Sequence, residues 1–167
     1  DWLWRNQDTL RLNNEVRIVE EGYAKGIGSY ATRKEQYSHD LFTEEALQFI
    51  NDHQDSSFFL YLAYTIPHAN NEGGKEGMEV PSDVPYTNTD FPQQQKNMAA
   101  MITRMDGDIG KLLAALEDAD LAENTLVIFS SDNGPHQEGG NDPDFFDSNG
   151  PLRGIKRDLY EGGIRMP

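Results

Sequence analysis

The sequence predicts an α/β fold, a mostly parallel sheet with flanking helices. Two apolar runs and the amphipathic stretch between them carry that prediction. Leu126-Val127-Ile128-Phe129 is short, wholly apolar and ends abruptly in Ser-Ser-Asp-Asn-Gly, as a strand buried on both faces does where it leaves a sheet. Phe58-Phe59-Leu60-Tyr61-Leu62-Ala63-Tyr64 is a second such run. Between them Met98, Ile102, Met105, Ile109, Leu112 and Leu116 alternate steps of four and three, which is one face of a helix. A strand–helix–strand crossover of this size makes the two strands parallel and the connection right-handed. Parallel strands end on one edge of the sheet, and in open α/β sheets ligands bind outside that edge. His68, just past the first strand, and Asp132-Asn133, at the end of the second, are therefore expected to face one crevice.

The remaining elements follow in chain order. Residues 1–14 alternate on either side of Asn6-Gln7-Asp8 and suit a small hairpin whose tryptophans pack on the body. Residues 15–38 are polar, with Gly22, Gly26 and Gly28, and read as a loop. A helix is expected from Thr43, with Thr43 as its cap, Glu44 and Glu45 at the positive end of its dipole and Ala46, Leu47 and Ile50 as its buried stripe. Residues 69–91 carry no period and read as a long loop of the functional or disordered kind. Asp90 and Gln93 frame a capping box for the long helix, which runs to about Asp118. Residues 134–167 form a glycine-rich, locally basic segment with Arg153, Lys156, Arg157 and Arg165, the composition of an anion pocket.

The charge balance excludes several partners. With 29 acids against 14 bases the formal net charge is −15, which argues against nucleic acid and against an anionic membrane surface. Cysteine is absent, so the chain holds no disulfide, thiolate metal ligand or cysteine nucleophile. No apolar run approaches the ~20 residues of a membrane-spanning helix. The opening on Asp1-Trp2 and the stop at Met166-Pro167 read as an internal piece of a longer protein.

Asp132 and Asn133 carry the hard oxygen ligands that Ca²⁺ and Mg²⁺ take. The same residues can instead close a strand as an Asx turn, with Gly134 at positive φ. His68 alone is an ordinary turn residue and Lys156 alone a solvated charge.

The pattern is specific once its parts are read together. Ser131-Asp132-Asn133-Gly134-Pro135-His136, Gly139-Gly140, Gly150-Pro151-Leu152-Arg153-Gly154-Ile155-Lys156 and Tyr160-Glu161-Gly162-Gly163-Ile164-Arg165 resemble the type I sulfatases, the formylglycine-dependent, arylsulfatase-like enzymes of the alkaline phosphatase superfamily. Phe58 through Leu62 followed by Pro67-His68, and Met105-Asp106 through Gly110 ahead of Asn124-Thr125-Leu126, resemble the same family. The resemblance covers residues 40–167, and 1–39 match it loosely as a hairpin and loop.

The resemblance implies a partial alkaline-phosphatase-like fold, with a βαβ core over 40–133 and an active-site segment over 134–167. It implies hydrolysis of sulfate esters, of a sulfated sugar by class and of aryl sulfates generically. Asp132 and Asn133 look like metal ligands for Ca²⁺ or Mg²⁺. Lys156 looks like the lysine that contacts sulfate, and His68 like the histidine that bonds the ester and protonates the leaving oxygen. His136, just beyond the metal pair, is a possible substrate contact or an exposed loop histidine. The formylglycine nucleophile arises from Cys or Ser in a Cys/Ser-x-Pro/Ala-x-Arg motif. That motif, like the remaining metal carboxylates, is expected outside this chain, in the rest of the parent catalytic domain, so the chain alone should be inactive. A periplasmic or secreted location follows from resemblance only.

Two other functions compete. One is a phosphodiesterase or phosphonate hydrolase of the same superfamily, and the other a non-catalytic module that keeps the fold. The parent's nucleophile motif separates all three.

Overall fold

The computed structural model describes residues 2–21 and 26–166. Its elements run β1 (Trp2–Arg5), β2 (Asp8–Arg11), β3 (Glu15–Val19), β4 (Gly28–Arg33), α1 (Ser38–Asp52), a 3₁₀ turn (Asn71–Glu76), α2 (Gln93–Asp118), two further 3₁₀ turns (Ala122–Asn124 and Glu138–Gly140) and a single helical turn α3 (Glu161–Ile164). Strands β1 and β2 form one antiparallel hairpin and β3 and β4 another. The first turns at Asn6, whose φ of 57° suits an asparagine. The second occupies much of the segment read as a loop. Trp2 and Trp4 do not pack on the body. They share one face of a two-stranded ribbon with no layer against it and are 58% and 71% exposed, Trp2 lying under the guanidinium of Arg11.

The parallel pair expected of residues 58–64 and 125–131 does not form among the described residues. Neither segment belongs to a ladder. Exposure still alternates along 58–64, as it does in a strand. Phe58 meets Phe49 of α1 edge to face, at 5.5 Å between centroids, while Phe59 and Tyr61 point away, 87% and 81% exposed. Leu126 and Ile128 are 84% and 81% exposed. Two-sided apolar runs need cover on both faces and ladder partners on both edges, and this chain supplies one face of one run.

Helix α1 starts five residues before Thr43. Thr43 is not its cap: its hydroxyl donates to the His39 carbonyl, 3.1 Å away, and meets Tyr64 Oη at 2.7 Å. These buried contacts outweigh its capping preference. At α2 the capping box does not form. Gln93 Nε2 instead donates to Asp83 Oδ2 and Asn97 Oδ1.

The core gathers where the long loop meets α2. Ile66, Ala69, Met78 and Val80 pack with Met98, Ala100 and Met101. Four of these seven residues come from 66–80, three of them from the segment without period, which is thus an ordered wall. Ile102, expected on the buried face, is exposed, because Met101 takes the contact with this wall. The loop's order fixes the backbone on either side of His68.

Candidate active site

His68 sits on a turn held from both sides. Its N–H donates to Thr65 O at 3.0 Å, and its Nδ1–H donates to Ala69 O at 2.7 Å. That bond leaves Nε2 as the acceptor, and Lys156 Nζ lies 2.9 Å from it across 88 residues of sequence. Lys156 is placed by its own N–H, which donates to Pro135 O at 2.8 Å. Its side chain is only 15% exposed.

His136 joins this pair and is buried rather than an exposed loop histidine. Its ring stacks on His68, at 5.6 Å between centroids, and its Nε2–H donates to Pro67 O at 3.0 Å. Its Nδ1 accepts the Glu138 N–H at 3.1 Å. Burial lowers the pKa of this imidazole; the Pro67 carbonyl and Glu138 oppose the shift without reversing it. Neutral His136 thus bridges the His68 turn to the glycine-rich segment.

Glu138 was not singled out in the sequence. Its side chain is 9% exposed, with Oε2 at 3.0 Å from His136 Nδ1, Oε1 at 3.5 Å from Lys156 Nζ and Oε1 at 2.6 Å from Arg157 Nη2. The contacts to Lys156 and Arg157 are close enough for charge attraction, yet neither carboxylate oxygen completes a well-directed hydrogen bond. Burial pushes the Glu138 carboxyl up, but Arg157, its own backbone N–H and Lys156 outweigh burial and hold it below the usual glutamate range. The sequence carries no local signal for it: Gln137-Glu138-Gly139-Gly140 stands close to Asp142, Asp144 and Asp147 and well before Lys156 and Arg157.

Asp132 and Asn133 lie at the mouth of the same segment. Asn133 Nδ2 donates to Asp132 Oδ1, which leaves Asn133 Oδ1 and Asp132 Oδ2 available as hard donors. Among the described residues no hydrogen bond links the pair to His68 or Lys156, and no group of three or more His, Cys, Asp or Glu side chains converges as a metal cage. The donor set fits a hard divalent cation as two ligands of the six to eight that Ca²⁺ takes. Gly134 is not at positive φ. It is required because Gly162 O lies where its Cβ would be, and its N–H donates to Gly163 O at 3.0 Å. This crossing clamps the Asp132-Asn133 turn against α3. Arg153 stacks 3.7 Å from the Tyr160 ring centroid, and Arg165 pairs with Glu161.

A Cys/Ser-x-Pro/Ala-x-Arg pattern, expected only outside the chain, does occur within it as Ser29-Tyr30-Ala31-Thr32-Arg33. Ser29 lies in β4 opposite Ile18, and its carbonyl accepts from Asn70 Nδ2 at 3.1 Å. No hydrogen bond among the described residues brings its side chain to His68 or Lys156, so this match is one of letters and not of place.

Several known proteins are similar to this chain. The N-acetylgalactosamine-6-O-sulfatase of Bacteroides thetaiotaomicron is 32% identical over 93% of this chain and 29% of its own length. The N-acetylgalactosamine-6-sulfatase of Canis lupus familiaris is 33% identical over 76% of the chain and 22% of its own. The solved structure of Ps i-CgsB in complex with k-i-k-neocarrahexaose superposes with a TM-score of 0.62 at 30% identity, over 84% of this chain and 30% of that one. The chain thus spans less than a third of the length of each of these relatives. The α/β class stands on these neighbours, and the two antiparallel hairpins with unladdered apolar runs are a part of that fold. The sulfatase family model matches residues 2–167, the hairpins included, and the chain belongs to the sulfatase family.

Proposed function

We propose that the protein to which this chain contributes hydrolyses sulfate esters of a sulfated sugar, with His68 and Lys156 acting on the ester and Asp132 and Asn133 holding part of a divalent cation site. The observation that carries the reading is the 2.9 Å contact between Lys156 Nζ and His68 Nε2, made across the fold inside a family of sulfuric ester hydrolases. Relatives named for N-acetylgalactosamine-6-sulfate support a sulfated amino sugar as the substrate class.

Asp132 and Asn133 would hold part of a divalent cation that, when bound, would draw charge from the sulfate oxygens, and a formylglycine outside residues 1–167 would supply the nucleophile. The chain's own residues do the rest. Lys156 meets the negative charge that builds on sulfate and on the departing oxygen, and such fixed charges count most in the transition state. His68 and Lys156 share a proton across their contact. The Nδ1–H bond to Ala69 fixes the His68 tautomer, so Nε2 alone faces the ester, and the proton held between Nε2 and Nζ passes to the leaving alcohol as the S–O bond breaks. His136 excludes water from the back of the His68 ring.

The test is hydrolysis by the complete protein of a chromogenic aryl sulfate and of N-acetylgalactosamine 6-sulfate, beside a phosphate diester and a phosphonate monoester. Turnover of the sulfates with little on the phosphorus esters is expected. The reverse preference would move the protein to the phosphodiesterase branch of the superfamily, and no turnover of any ester would favour a non-catalytic module.

A further inference from the structure

We propose that Glu138 is a positioning residue of this site: its buried carboxylate sets the direction of the Lys156 ammonium and limits how tightly the local cations hold free sulfate. The proposal rests on the reading of His68 and Lys156 as the sulfate-ester pair. Three observations carry it.

A carboxylate with 9% exposure is costly unless charges or hydrogen bonds compensate it. Here the compensation comes from the site's own bases, Lys156 at 3.5 Å and Arg157 at 2.6 Å. The side chain is therefore part of the site's charge balance.

Arg157 reaches this position with φ of 79°, a left-handed conformation rarely adopted by a long side chain. Such backbone persists only where the surroundings enforce it. The Glu138–Arg157 pair and the Lys156 N–H bond to Pro135 O are among the contacts that hold it here.

The two carboxylate oxygens also keep unused acceptor capacity. His136 cannot use it while neutral, because its Nδ1 already accepts the Glu138 N–H. Lys156, 2.9 Å from His68 Nε2 and 3.5 Å from Glu138 Oε1, is thus held between two acceptors, and under the proposed function it faces the place an ester oxygen would take. Without the carboxylate, two adjacent cations would face that place unopposed. They would bind any sulfate more tightly and release the product more slowly, and Lys156 would lose the partner that aims it.

The experiment compares Glu138→Gln and Glu138→Asp with the wild type in the complete enzyme, reading kcat, KM and the inhibition constant of inorganic sulfate. Glu138→Gln should lower kcat about tenfold or more, in line with misplaced electrostatic groups in other sites, and should tighten inhibition by sulfate several-fold. Glu138→Asp, which keeps the charge, should restore most of both. A purely structural role would weaken sulfate binding along with kcat, or lower only the melting temperature, and either result overturns the proposal. If the wild type hydrolyses no sulfate ester, the functional reading fails, but Glu138 is still tested by titrating inorganic sulfate against the His68 and His136 ring resonances. Tighter binding in Glu138→Gln then supports the charge-limiting role, and unchanged or weaker binding overturns it.

Discussion

Asp108 Oδ2, on α2, lies 3.0 Å from Nε2 of His39, on α1, and the imidazole is wholly buried. The acid also accepts from Lys111 Nζ at 2.5 Å and from Thr43 Oγ1 at 3.3 Å, and the His39 ring lies 4.2 Å from that of Tyr64. This knot joins both helices to the end of the first apolar run at Tyr64, shortly before His68 in the chain. Burial lowers the His39 pKa, with Asp108 opposing. Burial raises the Asp108 pKa, but Lys111, His39 and Thr43 carry it below the ordinary aspartate range.

The sign of the pH dependence follows. A histidine whose folded pKa is depressed binds its proton more readily in the unfolded chain, so stability falls as pH drops below the unfolded value of about 6.5. His136 acts in the same direction. The Asp108 contribution is present above about pH 4 and is lost as pH falls through its lower folded value. Melting temperature should therefore decline from pH 7.5 to 5, and His39→Gln should flatten that decline relative to wild type. An unchanged slope in the variant would show that the His39 proton is not linked to folding.

Gly134 and Gly107 should respond oppositely to alanine. A Cβ on Gly134 meets Gly162 O, a backbone atom that cannot step aside, whereas one on Gly107 meets nothing within 4 Å. Gly134→Ala should cost about 1–3 kcal/mol, the range for overpacking. Gly107→Ala, in the interior of α2, should add about 0.5–1 kcal/mol. Urea midpoints would check both, and a Gly134→Ala protein as stable as wild type would place that crossing elsewhere.

Residues 1–167 alone should not turn over an aryl sulfate, even with Ca²⁺ added. The chain has no cysteine, and its single Ser-x-Ala-x-Arg pattern lies on β4, where no hydrogen bond among the described residues joins it to His68 or Lys156. Assay of the purified chain beside its Ser29→Ala variant decides this. Activity that is abolished by the substitution would make Ser29 the nucleophile after all.

His68 and Lys156 stood out in the sequence because their neighbours are unusual. Proline fixes the backbone at Pro67-His68, and Leu152-Arg153-Gly154-Ile155-Lys156 turns at Gly154, whose φ of 91° favours glycine. Helix α2 was legible within a residue or two because its length and period leave no competing reading. The parallel pair was not, because pairing requires a partner strand as well as an apolar run, and Phe59, Tyr61, Leu126 and Ile128 find none here. The early start of α1 was hidden because His39 and Thr43 answer to Asp108, 65 residues from Thr43, and not to local propensity. Glu138 escaped for the same reason: its meaning comes from Lys156 and Arg157, which only the fold brings to it.

The central claim is that His68 and Lys156 act as one unit on the ester. Its most direct test is a double-mutant cycle in the complete enzyme, with His68→Ala, Lys156→Ala and the double variant assayed for kcat on an aryl sulfate. Each single substitution should lower kcat on the order of 10²–10³-fold. The double variant should be little worse than either single one, because groups that share one proton fail together. Losses that multiply to the product of the two single effects would show that His68 and Lys156 act independently and would contradict the shared-proton account.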